Sequence, residues 1–179
     1  QVEIDPGVID FSKQYLSSIC RNAYDDPRLD LVIADGAGFV AACTERYDVV
    51  LVDSTDPVGP GEVLFSETFY GKATSCLAPG GILVTQNGVP FLQGEELRNT
   101  MRAFRALFAD AACYLAAVPS YTGGVMAFGW GSDDAAKRQV DLATLEQRYE
   151  ASGIATRYYN PAVHQAAFAL PNCIAELLG

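Results

Sequence analysis

Histidine and clustered cysteine are nearly missing from this 179-residue sequence, and positive charge is scarce. His164 is the single histidine, and the five cysteines (Cys20, Cys43, Cys76, Cys113 and Cys173) form no CxxC pair. That excludes the Cys/His spacing of a zinc site, so no metal is expected. It also describes small buried hydrophobes of a reduced protein rather than a disulfide framework. Lysine and arginine number 12 against 22 acids, for a net charge of −10. Such a surface repels phosphate backbones and anionic lipid, which disfavours nucleic-acid and membrane partners and leaves a cationic ligand welcome. Glu3, Asp5 and Asp10 stand where a secretory leader would carry its basic and apolar segments, so a cytoplasmic protein is expected. The 21 uncharged residues from Ala111 to Gly131 are broken by Pro119 and Gly123-Gly124. They predict two buried strands joined by a loop rather than a membrane span.

What is present is a core. Apolar residues make up 50% of the chain and charged residues 19%, the composition of one compact domain. Val2 to Ile4 reads as the tail of a strand. Asp5-Pro6 follows as a helix start, an N-cap acid before proline at the first helical position, with the helix running to about Cys20. Leu29 to Ala34 is a short apolar strand, and Ala37 to about Arg46 a helix. Tyr47 to Val52 is the near-continuous apolar run of a parallel strand covered on both faces. Phe65, Phe69, Ala73, Cys76 and Leu77 recur at helical spacing. Pro79-Gly80-Gly81 reads as a turn and Ile82 to Thr85 as the next strand. Leu97, Met101, Phe104 and Phe108 mark another amphipathic helix. A helix over about Leu142 to Ser152 and an irregular aromatic tail complete the chain.

Strand and helix alternating at short intervals argue for an α/β doubly wound sheet. Ligands in such sheets lie outside the carboxyl ends of the strands. That puts Glu3, Asp35, Asp53 and Gln86 on one rim. An acid such as Glu3 after the second strand of a nucleotide-type sheet accepts from ribose hydroxyls. Asp35-Gly36 serves equally as a turn or as an acceptor for an adenine amino group approached closely by backbone.

The stretch DSTDPVGPG carries the chemistry. Asp53 and Asp56 lie three residues apart in a loop stiffened by Pro57 and Pro60, and no Lys or Arg occurs between Asp48 and Glu67. Two carboxylates in one cleft raise each other's proton affinity unless a cation joins them. A ligand must then bring the positive charge, and diamines and sulfonium compounds do so. An alkylammonium has a pKa of about 10 and cannot attack until a base takes its proton.

In order along the chain come VEID at 2–5, DG at 35–36, DSTDPVGPGEVLF at 53–65, TQNGVPFLQ at 85–93, VPSYTGG at 118–124 and YYNPAVHQAAFALP at 158–171. Together these resemble the bacterial-type spermidine synthases, the polyamine aminopropyltransferases, over essentially the whole chain. The resemblance implies a Rossmann-like, class I methyltransferase-type doubly wound sheet, mostly parallel with an antiparallel last strand. It implies aminopropyl transfer from decarboxylated S-adenosylmethionine, a co-substrate, to putrescine, giving spermidine and methylthioadenosine without a cofactor. Asp53 matches the catalytic base. Asp53, Ser54, Thr55 and Asp56 match the diamine-binding segment, with Tyr121 lining its channel and Gln86 on the rim. Glu3 matches the ribose ligand, Asp35 and Gly36 the adenine contacts, and Pro60 a wall against the nucleoside. His164 is expected to make a structural hydrogen bond, Tyr158 and Tyr159 to pack, and Trp130 to lie in the core.

The family also carries an N-terminal β domain and a first strand with a GGGxGG loop, neither found in these 179 residues. By that comparison residues 1–179 are a catalytic domain incomplete at its N-terminus, expected to be inactive or very weak alone. The parent would be a homodimer by family analogy. Rival readings are a spermine or thermospermine synthase, an amine N-methyltransferase of the same fold, and a noncatalytic α/β scaffold.

Overall fold

The computed structural model describes residues 1–55 and 59–179. It divides into two units, Gln1–Thr44 and Glu45–Gly179.

In the first unit, β1 (Val2–Glu3) leads into α1 (Pro6–Tyr15), which starts where the sequence predicts. The Asp5 carboxylate accepts from the Gly7 N–H at 2.8 Å and Pro6 fills a first-turn position, satisfying orphan donors of the helix start. The expected single helix to Cys20 is instead two. Leu16 leaves helical geometry at φ −112°, and α2 (Ser17–Cys20) begins after it. Next come β2 (Val32–Ile33) and α3 (Gly36–Ala42). β1 and β2 pair in parallel, Glu3 beside Ile33.

The second unit carries β3 (Tyr47–Val52), α4 (Glu67–Ser75), β4 (Leu77–Gln86), α5 (Gly94–Leu107), β5 (Asp110–Ala117) and β6 (Val125–Ser132). It ends with α6 (Leu142–Ser152), α7 (Pro161–Ala167) and α8 (Asn172–Leu178). The sheet order is β3-β4-β6-β5. β3 and β4 run parallel, and β6 is antiparallel to both its neighbours, the reversed last strand that the resemblance implies. Ala111–Gly131 is therefore an antiparallel pair, and no helix among the described residues is long and apolar enough to cross a membrane.

Three further expectations need correction. Pro79-Gly80-Gly81 is not a turn between elements but a bulge within β4. Tyr47 pairs with Leu77 while Val49 pairs with Ile82, so extra residues on β4 loop out, and Gly80 takes the left-handed φ of +70° that this requires. The aromatic tail is not irregular, since α7 forms within it and α8 follows it. Asn160 caps α7 by accepting from the Val163 N–H at 2.8 Å, with Pro161 in the first turn. β3 is not covered on both faces. β4 is its one strand partner among the described residues, and Leu51 remains 71% exposed.

α5 and α8 cover one face of the sheet. Leu97 and Met101 of α5 meet Cys113 and Ala127 of the strands and Ile174 and Leu178 of α8. Tyr70, Phe104 and Phe108 pack edge-on in series at 5.2 and 5.5 Å. Trp130 lies in the core at 6% exposure. Gly131 of β6 gives Phe108 its room, because a Cβ there would sit 2.6 Å from Phe108 Cε2. Gly131→Ala should cost about 1–3 kcal/mol through overpacking, and a melting temperature equal to the parent's would refute that account of the site.

Candidate functional site

The carboxyl ends of β3 and β4 form the floor. β3 delivers Asp53 to the first position after the strand, and β4 ends on Gln86. Gln86 ties the two exits together. Its Nε2 donates to the Ser54 carbonyl at 3.4 Å, and its Oε1 accepts from the Gly88 N–H at 2.8 Å. The amide is thus spent on holding loop backbone, and any hydrogen bond to a ligand must be made with its remaining capacity.

Behind Gln86 lies a buried polar network. Asn87, fully buried, accepts at Oδ1 from the Thr85 hydroxyl at 2.9 Å and from the Gly129 N–H at 2.9 Å. Its Nδ2 donates to Thr100 Oγ1 at 2.7 Å, which lies 3.0 Å from the Tyr70 hydroxyl. Burial pushes the Tyr70 phenol above its ordinary pKa, so it remains a neutral hydroxyl.

The loop between β5 and β6 supplies Tyr121. It closes through Val118 N–H to the Gly124 carbonyl at 2.9 Å and Tyr121 N–H to the Val118 carbonyl at 3.0 Å. Gly123 and Gly124 take φ of +95° and +71° to complete it.

These elements enclose a cavity of about 370 Å³. Its polar lining is Asp53, Gln86, Tyr114 and Tyr121, and the rest of its wall includes Leu51, Val84, Met126 and Phe128. None of the described residues lining it is Lys, Arg or His. A cleft with apolar walls and one lining carboxylate suits an alkyl chain that carries positive charge. Asp53, Gln86 and Tyr121 are therefore brought together. Tyr114, Met126 and Phe128 escaped the sequence reading, although alternation along β6 could have put Met126 and Phe128 on one face.

Ser54 and Thr55 follow Asp53 in the loop. Asp56 lies outside the described residues, so its expected pairing with Asp53 is not described either. Pro60 belongs to the short 3-10 segment Gly59–Phe65. Glu3 and Asp35 belong to the first unit, where each stands at the carboxyl end of a strand. Glu3 accepts from the Asp5 N–H at 2.9 Å. Asp35 caps α3, accepting from the N–H groups of Ala37 at 3.3 Å and Gly38 at 2.9 Å, with Gly36 opening the helix.

His164 stands apart from this cavity. Its Nδ1 lies 3.3 Å from the Tyr159 hydroxyl, and burial lowers its pKa, favouring the neutral ring. Tyr158 packs on β5, its hydroxyl accepting from the Ala117 N–H at 2.9 Å.

The spermine/spermidine synthase domain family matches residues 1–142. The chain is 60% identical over 176 residues to the polyamine aminopropyltransferase of a Ruegeria species. It is 56% identical over 178 residues to polyamine aminopropyltransferase 1 of Pseudomonas aeruginosa. These alignments take in 98% and 99% of this chain, which spans 62% of the length of each relative. Among solved structures, spermidine synthase in complex with the transition-state analogue AdoDATO superposes with a TM-score of 0.90 at 30% identity, over 99% of this chain and 60% of that one. The Thermotoga maritima spermidine synthase gives 0.87 at 30% identity, over 99% of this chain and 59% of its own. The α/β fold of this chain is the fold of those enzymes.

Proposed function

Since the chain belongs to the spermine/spermidine synthase family, we propose that it forms the acceptor side of an aminopropyltransferase active site that uses putrescine and decarboxylated S-adenosylmethionine. The observation carrying this reading is the cavity where Asp53, Gln86 and Tyr121 meet between apolar walls, with no cation among the described lining residues. A protonated diamine supplies the charge that the carboxylate lacks, and its methylenes fill the slot.

The reaction needs few parts. The acceptor arrives as an ammonium, and Asp53 takes one of its protons. The freed lone pair attacks the propyl carbon attached to the sulfonium, forming the N–C bond as the C–S bond breaks. The bonding electron pair stays on sulfur, which leaves as the neutral thioether methylthioadenosine. The new secondary amine keeps the surplus proton that the attack gives it. The leaving group is already activated by its charge, so alignment supplies most of the remaining advantage. Asp56, Ser54 and Thr55 complete the diamine grip with Tyr121 and Gln86. Glu3 accepts from the ribose, Asp35 and Gly36 meet the adenine, and Pro60 walls the nucleoside. The resemblance supports these roles.

The test is a competition. The full-length protein, given decarboxylated S-adenosylmethionine with putrescine, cadaverine and spermidine together, should yield spermidine as the dominant product by mass spectrometry. Aminopropylation of spermidine alone would overturn putrescine as acceptor. Methylation of amines from intact S-adenosylmethionine would make it an N-methyltransferase, and no transfer at all would favour a noncatalytic scaffold.

A further inference from the structure

Beside the acceptor cavity lies a second one of about 320 Å³, and Val84 and Tyr114 belong to the walls of both. Tyr114 of β5 pairs with Phe128 of β6, and their rings stack with centroids 5.0 Å apart and planes 13° from parallel. Phe168, just past α7, packs on the same tyrosine ring at 5.4 Å. Tyr114 is therefore held by two neighbouring rings rather than free, and it lines both cavities. The surroundings of the two cavities differ. Asp53 is the one charged residue among those described around the first cavity, whereas Lys137 and Arg138 line the second. Asp110 is engaged there already, accepting from the Arg138 guanidinium at 2.7 and 2.9 Å. Trp130, Tyr158 and Tyr159 give that second space an aromatic wall.

We propose that Tyr114 is a specificity-determining residue, whose ring ends the acceptor cavity and so limits the length of amine that fits. The inference rests on the acceptor reading above. An amine tail passing this ring would enter a space that receives alkyl or aryl groups and repels a second ammonium. Removing the ring joins the two cavities and lengthens the slot for uncharged tails much more than for charged ones.

A matched pair of ligands tests this on the full-length protein. N-butyl-1,4-diaminobutane and N-(3-aminopropyl)-1,4-diaminobutane share a diamine head and have tails of equal length, differing in a terminal methyl or ammonium. Their affinities, relative to 1,4-diaminobutane, are measured by calorimetry for the parent, Tyr114→Phe, Tyr114→Leu and Tyr114→Ala. Tyr114→Ala and Tyr114→Leu should raise the relative affinity of the N-butyl compound at least tenfold, with little gain for the aminopropyl compound. Tyr114→Phe, which keeps the ring, should leave both ratios near the parent's. An unmoved N-butyl ratio in both ring-less variants overturns the proposal, as does equal gain by the two tails or failure of every protein to bind diamines. If the ratios shift as expected but the parent transfers no aminopropyl group, the length limit stands and the transferase reading falls.

Discussion

On the proposed reading, Asp53→Asn in the full-length protein is expected to lower the rate of aminopropyl transfer by about 10²–10⁴-fold, the range for loss of a positioned general base. Asparagine keeps the shape of the side chain and removes only its ability to take a proton. Asp53 is exposed at the mouth of its strand, so folding stability should change by no more than about 0.5 kcal/mol, and a kinetic loss cannot be blamed on unfolding. The variant also makes a distinctive pH prediction. An alkylammonium with a pKa of about 10 holds roughly one part in a thousand as free amine near neutrality, and that fraction rises tenfold for each pH unit below the pKa. Without a base, the enzyme depends on this pre-formed amine. Its rate should therefore climb steeply between pH 7 and 9, while the parent's changes less. Rates measured across that interval with putrescine at saturation decide the matter. If Asp53→Asn keeps more than about a tenth of the parental rate at pH 7, or follows the parental pH profile, another group takes the proton.

How much of this was legible in the residues depends on the range of the interaction. YDVVLV announced β3 through its own apolar run, and Leu97, Met101 and Phe104 announced α5 through helical spacing. The cap of α1 was written in Asp5-Pro6. The helical nature of 161–178 went unread because helices of seven residues scarcely establish a period. The bulge in β4 was mistaken for a turn because Pro-Gly-Gly suits both, and only the register with β3 separates them. The exposed flank of Leu51 was missed for the same reason, since the cover on a strand is a property of its neighbours. In the site, Asp53 and Gln86 stood out as residues at strand exits, whereas Tyr121 was linked to them through the family resemblance. Tyr114 had no local signature, and it becomes visible only once β5 is laid against β6 and Tyr114 meets Phe128.

Asn87→Ala should be the most damaging single change to stability near the site. The side chain has no exposed surface, and its amide satisfies the Thr85 hydroxyl, the Gly129 N–H and Thr100 Oγ1. Truncation leaves a backbone donor and a buried hydroxyl without their acceptor. Each such group costs about 1–3 kcal/mol, with partial relaxation expected in a shared network. A total of roughly 2–4 kcal/mol follows, or a fall in melting temperature of about 5–15 °C for a chain of this size. Thr100 loses less, because the Tyr70 hydroxyl remains 3.0 Å away. The damage reaches function because Asn87 follows Gln86 directly, and its own N–H is fixed to the Ala127 carbonyl at 2.9 Å. Loosening that strand end frees the amide that braces the Ser54 carbonyl, so transfer should weaken even at temperatures where the variant is folded. Asn87→Asp separates the contributions. It retains an acceptor for Gly129 and Thr85 but, once ionised, cannot donate to Thr100 and buries a charge. Burial favours its protonated form, which regains an O–H donor, so this variant should recover stability relative to the parent as pH falls from 8 to 5. Parallel thermal melts of the parent and both variants at those two pH values provide the check. A shift under about 2 °C for Asn87→Ala would mean that water replaces the amide, and that the strand end holding Gln86 is secured by the backbone ladder alone.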